Sequence, residues 1–141
     1  MNRPATLIEV ARRRNDSEEF GPLVAEFLDT FYGGLKRSPN EAATCIAGEP
    51  ETLADAEQHA LLGAIGEHLA RRWNLEIPAW TNHRSRFLNH PHFTTSLDGF
   101  KVMMIAQSPL AFRRRLIFTE AEPLRRARMP RGEIVPSPPN S

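Results

Sequence analysis

The chain has 141 residues, of which 40% are hydrophobic and 25% are charged, and this balance excludes a disordered segment and predicts a folded, soluble protein. A single cysteine excludes an internal disulfide, and no apolar run is long enough to predict a membrane span or a signal peptide. We therefore expect a cytoplasmic protein in which Cys45 is a buried, inert thiol.

The net charge of +1 conceals an uneven distribution along the chain. Residues 1–70 hold 6 basic and 12 acidic side chains, whereas residues 71–141 hold 12 basic and 5 acidic ones. This split predicts either that the two halves neutralise each other on folding or that the basic half binds a polyanion or an acidic protein.

Helical periodicity dominates the first half of the chain. A short helix is predicted near residues 7–11, and a second over residues 16–35, where Asp16 and Glu19 form a capping box and Gly33-Gly34 ends the helix. A third helix is predicted over residues 52–75, with its buried stripe ending at Trp73. The predicted core is this set: Phe20, Leu23, Phe27, Phe31, Leu61, Ile65, Leu69 and Trp73.

The second half begins with an irregular connection, residues 76–96, which we expect Trp80 and Phe87 to hold against the helices. Thr95 or Ser96 then caps a predicted helix over residues 97–106. Ser108 caps the next helix with Pro109 at its first position, and Pro123 opens a short last one.

No segment has the alternating, β-branched pattern of a strand. The pattern as a whole therefore predicts one all-α domain over residues 1–130, with roughly five to seven helices. An extended tail, rich in proline, is predicted over residues 131–141.

Enzyme and metal signatures are missing from the sequence. His83, His90 and His92 share one predicted loop, but no cysteine pair or further histidine completes a zinc ligand set. Phosphate-binding and nucleophile motifs are absent, and Glu67-His68 is interpreted as part of a helix surface. We therefore expect a protein that is not an enzyme and has no cofactor and no metal.

The arginines of the second half are the candidate functional residues. If residues 110–117 formed one helix, a rotation of about 100° per residue would place Arg113 within the apolar arc and turn Arg114 and Arg115 outward. Arg113 is then expected to form an internal ion pair, because an unpaired buried charge is too costly. The stretch LRRAR at residues 124–128 is predicted to form an outward basic patch.

Residues 97–118 also have the outline of a helix, a short turn and a second helix that is rich in arginine. A helix-turn-helix would place that second helix in the major groove of DNA. The turn lacks the customary glycine, however, and apolar residues occupy much of the second helix. DNA is therefore the alternative partner rather than the first.

The stretches LLGAIGEHLARRWNLEIPAWT, RSRFL and SPLAFRRRLIFTEAEPLRRA resemble a helical segment of uncharacterised bacterial regulator-like or antitoxin-like proteins. The resemblance covers about residues 60–128 and implies a regulatory role. It draws attention to a set of positions without assigning roles to them: Trp73, Pro78, Trp80, Arg86, Phe87, Phe112 and Arg114.

These observations favour a protein–protein interaction module of antitoxin or regulatory-partner type that binds an acidic protein surface. The alternative is a small DNA-binding regulator. The residues predicted to bind the partner are Arg84, Arg86, Arg114, Arg115, Arg125, Arg126 and Arg128. Those predicted to be structural are Trp73, Trp80, Phe87, Phe112 and Arg113.

Overall fold

A computed structural model describes residues 3–94 and 98–130 of the chain, and its described part is a small, mostly helical domain. This confirms the all-α prediction. The helices are α1 (Leu7–Asn15), α2 (Phe20–Arg37), α3 (Pro39–Ala47), α4 (Ala56–Arg72), α5 (Asp98–Gln107) and α6 (Leu110–Arg113). Two short 3₁₀ helices, Ala79–Asn82 and Arg84–Arg86, follow α4. Two strands, β1 (His92–Phe93) and β2 (Ile117–Phe118), complete the elements.

Helix α2 begins later and ends later than the sequence predicts. Its N-cap residue is Glu19, whose side chain makes no capping hydrogen bond, so the predicted capping box with Asp16 is wrong. The helix also continues through Gly33 and Gly34 to Arg37. Both glycines keep negative φ, and α2 remains helical there because its apolar face is buried on both sides of them.

Helix α3 was not predicted from the sequence. Ser38 caps it by accepting a hydrogen bond from the backbone N–H of Asn40, and Pro39 occupies the first position, where the missing N–H costs nothing. The helix buries Ala42, Cys45 and Ile46, which confirms the expected burial of the thiol. Burial also raises the pKa of Cys45, as expected for an inert thiol.

Helix α4 is the central element, and 11 of its 17 residues are buried. Asp55 caps it by accepting hydrogen bonds from the backbone N–H groups of Glu57 and Gln58. Of the eight predicted core residues, Leu23, Phe27, Phe31, Ile65, Leu69 and Trp73 are buried. Phe20 and Leu61 are only partly buried, because they pack at the edge of the core.

The segment after α4 is irregular, as predicted, and Trp80 is buried in it. The sequence analysis did not predict the small sheet. Strand β1, at the end of this segment, pairs with β2 in parallel, with His92 opposite Ile117. Two residues per strand are too few for an alternating pattern to be visible. The predicted cap at Thr95 or Ser96 lies outside the described residues.

The region after α5 departs most from its prediction. Helix α6 ends at Arg113, and Leu116 has φ 64°, a left-handed conformation that turns the chain into β2. The N-cap residue of α6 is Pro109 rather than Ser108, whose hydroxyl instead donates to the carbonyl of Met104 and accepts from the N–H of Thr119. Residues 123–129 form turns and not the predicted short helix.

The tail predicted over residues 131–141 lies outside the described residues. Within residues 3–94 and 98–130, no helix is both long enough and apolar enough to cross a membrane.

Candidate functional site

Two arginines lie inside the protein, against α4. The side chains of Arg86 and Arg115 are 1% and 0% exposed and are the two largest among the fully buried side chains. Both approach Gly63, where a Cβ would lie 2.9 Å from Cβ of Arg86 and 3.1 Å from Nε of Arg115. The absence of a side chain at Gly63 therefore creates the space that these arginines occupy.

Glu67 supplies the negative charge for this buried site. Its carboxylate accepts hydrogen bonds from Nη1 of Arg115 at 2.6 Å, from Nε of Arg71 at 2.7 Å and from Nη1 of Arg114 at 2.8 Å. Burial alone would raise the pKa of Glu67, but the hydrogen bonds from Arg115 and Arg71 and the charge of Arg115 lower it below its usual value. Glu67 is therefore ionised and compensates the buried Arg115.

Arg86 is held by neutral acceptors. Its guanidinium donates to the carbonyls of Pro50 at 2.8 Å and His59 at 3.2 Å, and to Nδ1 of His59 at 3.1 Å. The N–H of Leu53 also donates to that Nδ1, so Nε2 carries the proton and donates to the hydroxyl of Ser85. Burial and the charge of Arg86 both lower the pKa of His59, which keeps the ring neutral.

Aromatic rings cover the same arginines. The guanidinium of Arg86 lies 4.9 Å from the ring centre of Trp80, and those of Arg115 and Arg114 lie 4.4 and 5.2 Å from the ring of Phe87. Trp80 and Phe87 thus attach the irregular segment to the rest of the protein through cation–π contacts as well as through apolar contacts. Trp73 and Phe112, the other aromatic residues predicted to be structural, are both buried in the core.

The predicted roles within residues 113–115 are reversed in the structure. Arg113 is exposed and donates to the carbonyl of Ser108, whereas Arg115 is buried and forms the internal ion pair expected of Arg113. The prediction was wrong because it continued the helical rotation past Arg113, where α6 ends. Arg86 and Arg115 are also unavailable to a partner, since both are fully buried.

The remaining predicted partner-binding arginines divide into paired and unpaired residues. Arg126 forms a bidentate pair with Asp29, at 3.0 and 2.9 Å, and the hydrogen bond from Arg126 lowers the pKa of that carboxyl. Arg114 donates to Glu67 and Asn82. Arg84, Arg125 and Arg128 are exposed, and none lies within 4.0 Å of a carboxylate in the described part of the chain.

Arg128 belongs to a basic surface on α2. Its Nη1 and Nη1 of Arg37 lie 3.7 and 3.8 Å from the point where Gly33 would carry a Cβ, so two guanidinium groups converge over that glycine. Arg37 pairs with Glu41 through Nε and Nη2. We use the term basic surface for Arg37, Arg125, Arg126 and Arg128.

A polar cavity of about 310 Å³ adjoins the basic surface. Its lining includes Arg125, Arg126, Arg72 and Glu122. Arg72 and Glu122 form an ion pair at 3.1 Å, so the cavity wall presents both signs of charge. An apolar groove of about 320 Å³ lies elsewhere, between the start of α2, α4 and residues 119–124.

The histidines of the irregular segment are not brought together. His92 lies 3.2 Å from a carboxylate oxygen of Glu57, and His83 caps the second 3₁₀ helix by accepting from the N–H of Ser85. His90 contacts the side chain of Asn89. The described residues contain no group of three or more histidine, cysteine or acidic side chains that could hold a metal ion.

Glu67 and His68 are the important residues that the sequence analysis misread. Both are buried, at 1% and 8% exposed, and not on a helix surface. One sequence signal could have found Glu67, because Gly63 precedes it by four residues and so opens space on the same face of α4.

Comparisons with known proteins found no relative of this chain. No family model, no curated protein and no solved structure matches the chain.

Proposed function

We propose that this protein is a non-catalytic, cytoplasmic protein–protein interaction module of antitoxin or regulatory-partner type, and that its basic surface binds an acidic surface of the partner. One observation carries the proposal. Most of the arginines of the second half form hydrogen bonds within the protein. Arg125 and Arg128 are exposed and lie more than 4.0 Å from every described carboxylate, although the charge of Arg128 also acts on Asp29. Their charge is therefore available to another molecule.

Carboxylates within the basic surface favour a protein over DNA as the partner. Asp29 and Glu41 lie among its arginines and are themselves paired with Arg126 and Arg37. A regular array of phosphates would be repelled by these carboxylates, whereas a protein surface with mixed charges can place its own cations beside them. The four-residue length of α6 also leaves little of the second helix that DNA reading would need.

The test uses the protein encoded by the neighbouring gene as the candidate partner. The two proteins are co-expressed, and only one carries an affinity tag. We expect the wild-type pair to co-purify, and we expect the Arg125→Glu/Arg128→Glu variant to lose its partner while remaining folded, because changes at exposed positions barely alter stability. Arg12→Glu is the matched control, since Arg12 is also exposed but lies on α1, outside the basic surface and outside the arginines predicted to bind the partner.

A DNA arm separates the alternative function. A labelled duplex from the upstream region of the gene is titrated with the protein at several salt concentrations. Tight binding that weakens steeply with salt, because each neutralised phosphate releases a counterion, would favour the DNA-binding regulator.

In the co-purification test, an Arg125→Glu/Arg128→Glu variant that unfolds would show that Arg125 and Arg128 stabilise the fold.

A further inference from the structure

Helix α5 has an apolar surface that the rest of the described chain leaves uncovered. Four of its large apolar side chains are exposed: Phe100 at 50%, Val102 at 77%, Met103 at 50% and Ile105 at 49%. Leu110, at the start of α6, is 46% exposed and adds a fifth. A large exposed apolar patch is uncommon on a soluble protein, so it indicates a surface that another molecule covers.

The exposed side chains of residues 100–107 carry no charge. The other exposed side chains between residues 100 and 107 are Ala106 and Gln107, which are neutral. The charged residue of this stretch is Lys101, which is partly buried with its ammonium group 5.3 Å from the ring centre of Phe93. An acidic partner would find no complementary cation on this surface. A second copy of the same surface would bring no like charges together.

The area of this surface is what a small dimer needs. At about 150–200 Å² for each large apolar side chain, the exposed fractions leave at most roughly 500 Å² of apolar surface on each copy. Two copies would together bury roughly 1,000 Å², which reaches the lower limit of specific interfaces. Most oligomers of identical chains are dimers in which one patch faces itself across a two-fold axis.

We infer that this protein forms a homodimer in which the exposed face of α5 packs against the same face of a second copy. The dimer is weak, with a dissociation constant in the micromolar range, because its interface is small. This interface is separate from the basic surface, since α5 contains none of the arginines proposed to bind the acidic partner. The dimer therefore leaves the basic surface of both copies open.

Sedimentation velocity tests the dimer. The purified 141-residue protein is measured at concentrations from about 1 to 200 μM, which cover the micromolar range of the expected dissociation constant. We expect the average mass of the wild type to rise from one chain towards two. The Val102→Asp/Met103→Asp variant should dissociate at concentrations at least about tenfold higher, because it places charges in the interface. Ile77→Asp is the control, since Ile77 is also exposed, at 40%, but lies outside α5; it should dimerise as the wild type does.

A wild type that stays monomeric throughout, or a dimer that the α5 variant does not weaken, would overturn the inference. Neither result would affect partner binding by Arg125 and Arg128, so the two proposals fail separately.

A second measurement of the dimer uses cysteine substitutions. Oxidised Met103→Cys should form a covalent dimer in non-reducing gels and Ile77→Cys should not, while the buried Cys45 stays unreacted. Equal cross-linking of the two variants would also contradict the α5 interface.

Discussion

Glu67 is the residue that compensates the buried charge of Arg115. Arg115 is fully buried, and its carboxylate partner is Glu67. Removing one member of a buried pair leaves the other uncompensated, which costs about 3–5 kcal/mol. An exposed pair such as Arg37 with Glu41 contributes much less, because water and salt screen its charges.

We therefore expect Glu67→Gln to lower the free energy of unfolding by about 3 kcal/mol, measured by urea denaturation. Glu41→Gln is the matched control and should have a much smaller effect, because the pair of Glu41 with Arg37 is exposed and screened. Equal effects of the two substitutions would mean that Arg115 is compensated in some other way.

His68 makes stability depend on pH. It is buried with its ring 5.5 Å from that of Phe112, and burial lowers its pKa from 6.5 in the unfolded chain to about 4. Between these two values the unfolded chain binds more protons than the folded protein. The contribution of His68 to stability is therefore most favourable above pH 6.5 and becomes less favourable as the pH is lowered towards 4.

His68→Leu should remove this part of the pH dependence, which amounts to about 3 kcal/mol at most. The measurement is the free energy of unfolding of both proteins at intervals from pH 7.5 down to 4. We expect the variant to gain stability relative to the wild type as the pH falls. Parallel curves would show that His68 titrates normally in the folded protein. His59, whose pKa is also lowered, is present in both proteins and cancels.

At the scale of elements, the contact between α4 and the irregular segment depends on glycine. A Cβ on Gly63 would lie 2.9 Å from Cβ of Arg86, an atom that cannot move without the backbone. Gly63→Ala should therefore destabilise the protein by about 1–3 kcal/mol, although alanine favours helices.

The control for this substitution is Gly21→Ala in α2, where nothing lies within 4 Å of the added Cβ. There we expect unchanged stability or a gain of up to about 1 kcal/mol. Both midpoints are measured by thermal unfolding followed by circular dichroism. A stabilising Gly63→Ala would contradict the close packing of Arg86 on α4.

Trp80 attaches the first 3₁₀ helix to the core. Its side chain is 8% exposed, its Nε1 donates to the carbonyl of Ile46 at 3.0 Å, and its ring lies about 3 Å from where Gly66 would carry a Cβ. We expect Trp80→Ala to cost about 3–5 kcal/mol in urea denaturation. Ile77→Ala, at a position that is 40% exposed, should cost far less. A stable Trp80→Ala variant would mean that other contacts hold the segment in place.

The helical repeat of apolar residues predicted the long, amphipathic helices. It failed where the backbone conformation of a single residue determines the end of a helix. The stripes of α2 and α4 were visible because many apolar residues repeat with the helical period. The end of α6 was not visible, because it depends on the left-handed conformation of a single leucine, Leu116, which sequence patterns do not indicate. That one turn decides which of the three adjacent arginines is buried.

At the scale of the whole molecule, the uneven charge distribution serves in part to join the two halves. Glu67 and Asp29 of the acidic half pair with Arg114, Arg115 and Arg126 of the basic half. The sequence predicted that such pairing or an external partner would use the excess charge, but it could not assign individual arginines. That assignment depends on contacts between residues up to 97 positions apart, which only the fold brings together.

The most direct test of the account is the affinity of the purified partner for the wild type and for Arg125→Glu/Arg128→Glu, measured by isothermal titration calorimetry. We predict that the double variant binds at least about tenfold more weakly, with an unchanged thermal midpoint, because it loses two exposed cations and gains two repelling charges. Arg12→Glu should bind as the wild type does. A double variant that binds its partner with wild-type affinity would contradict the proposal that the basic surface is the binding site.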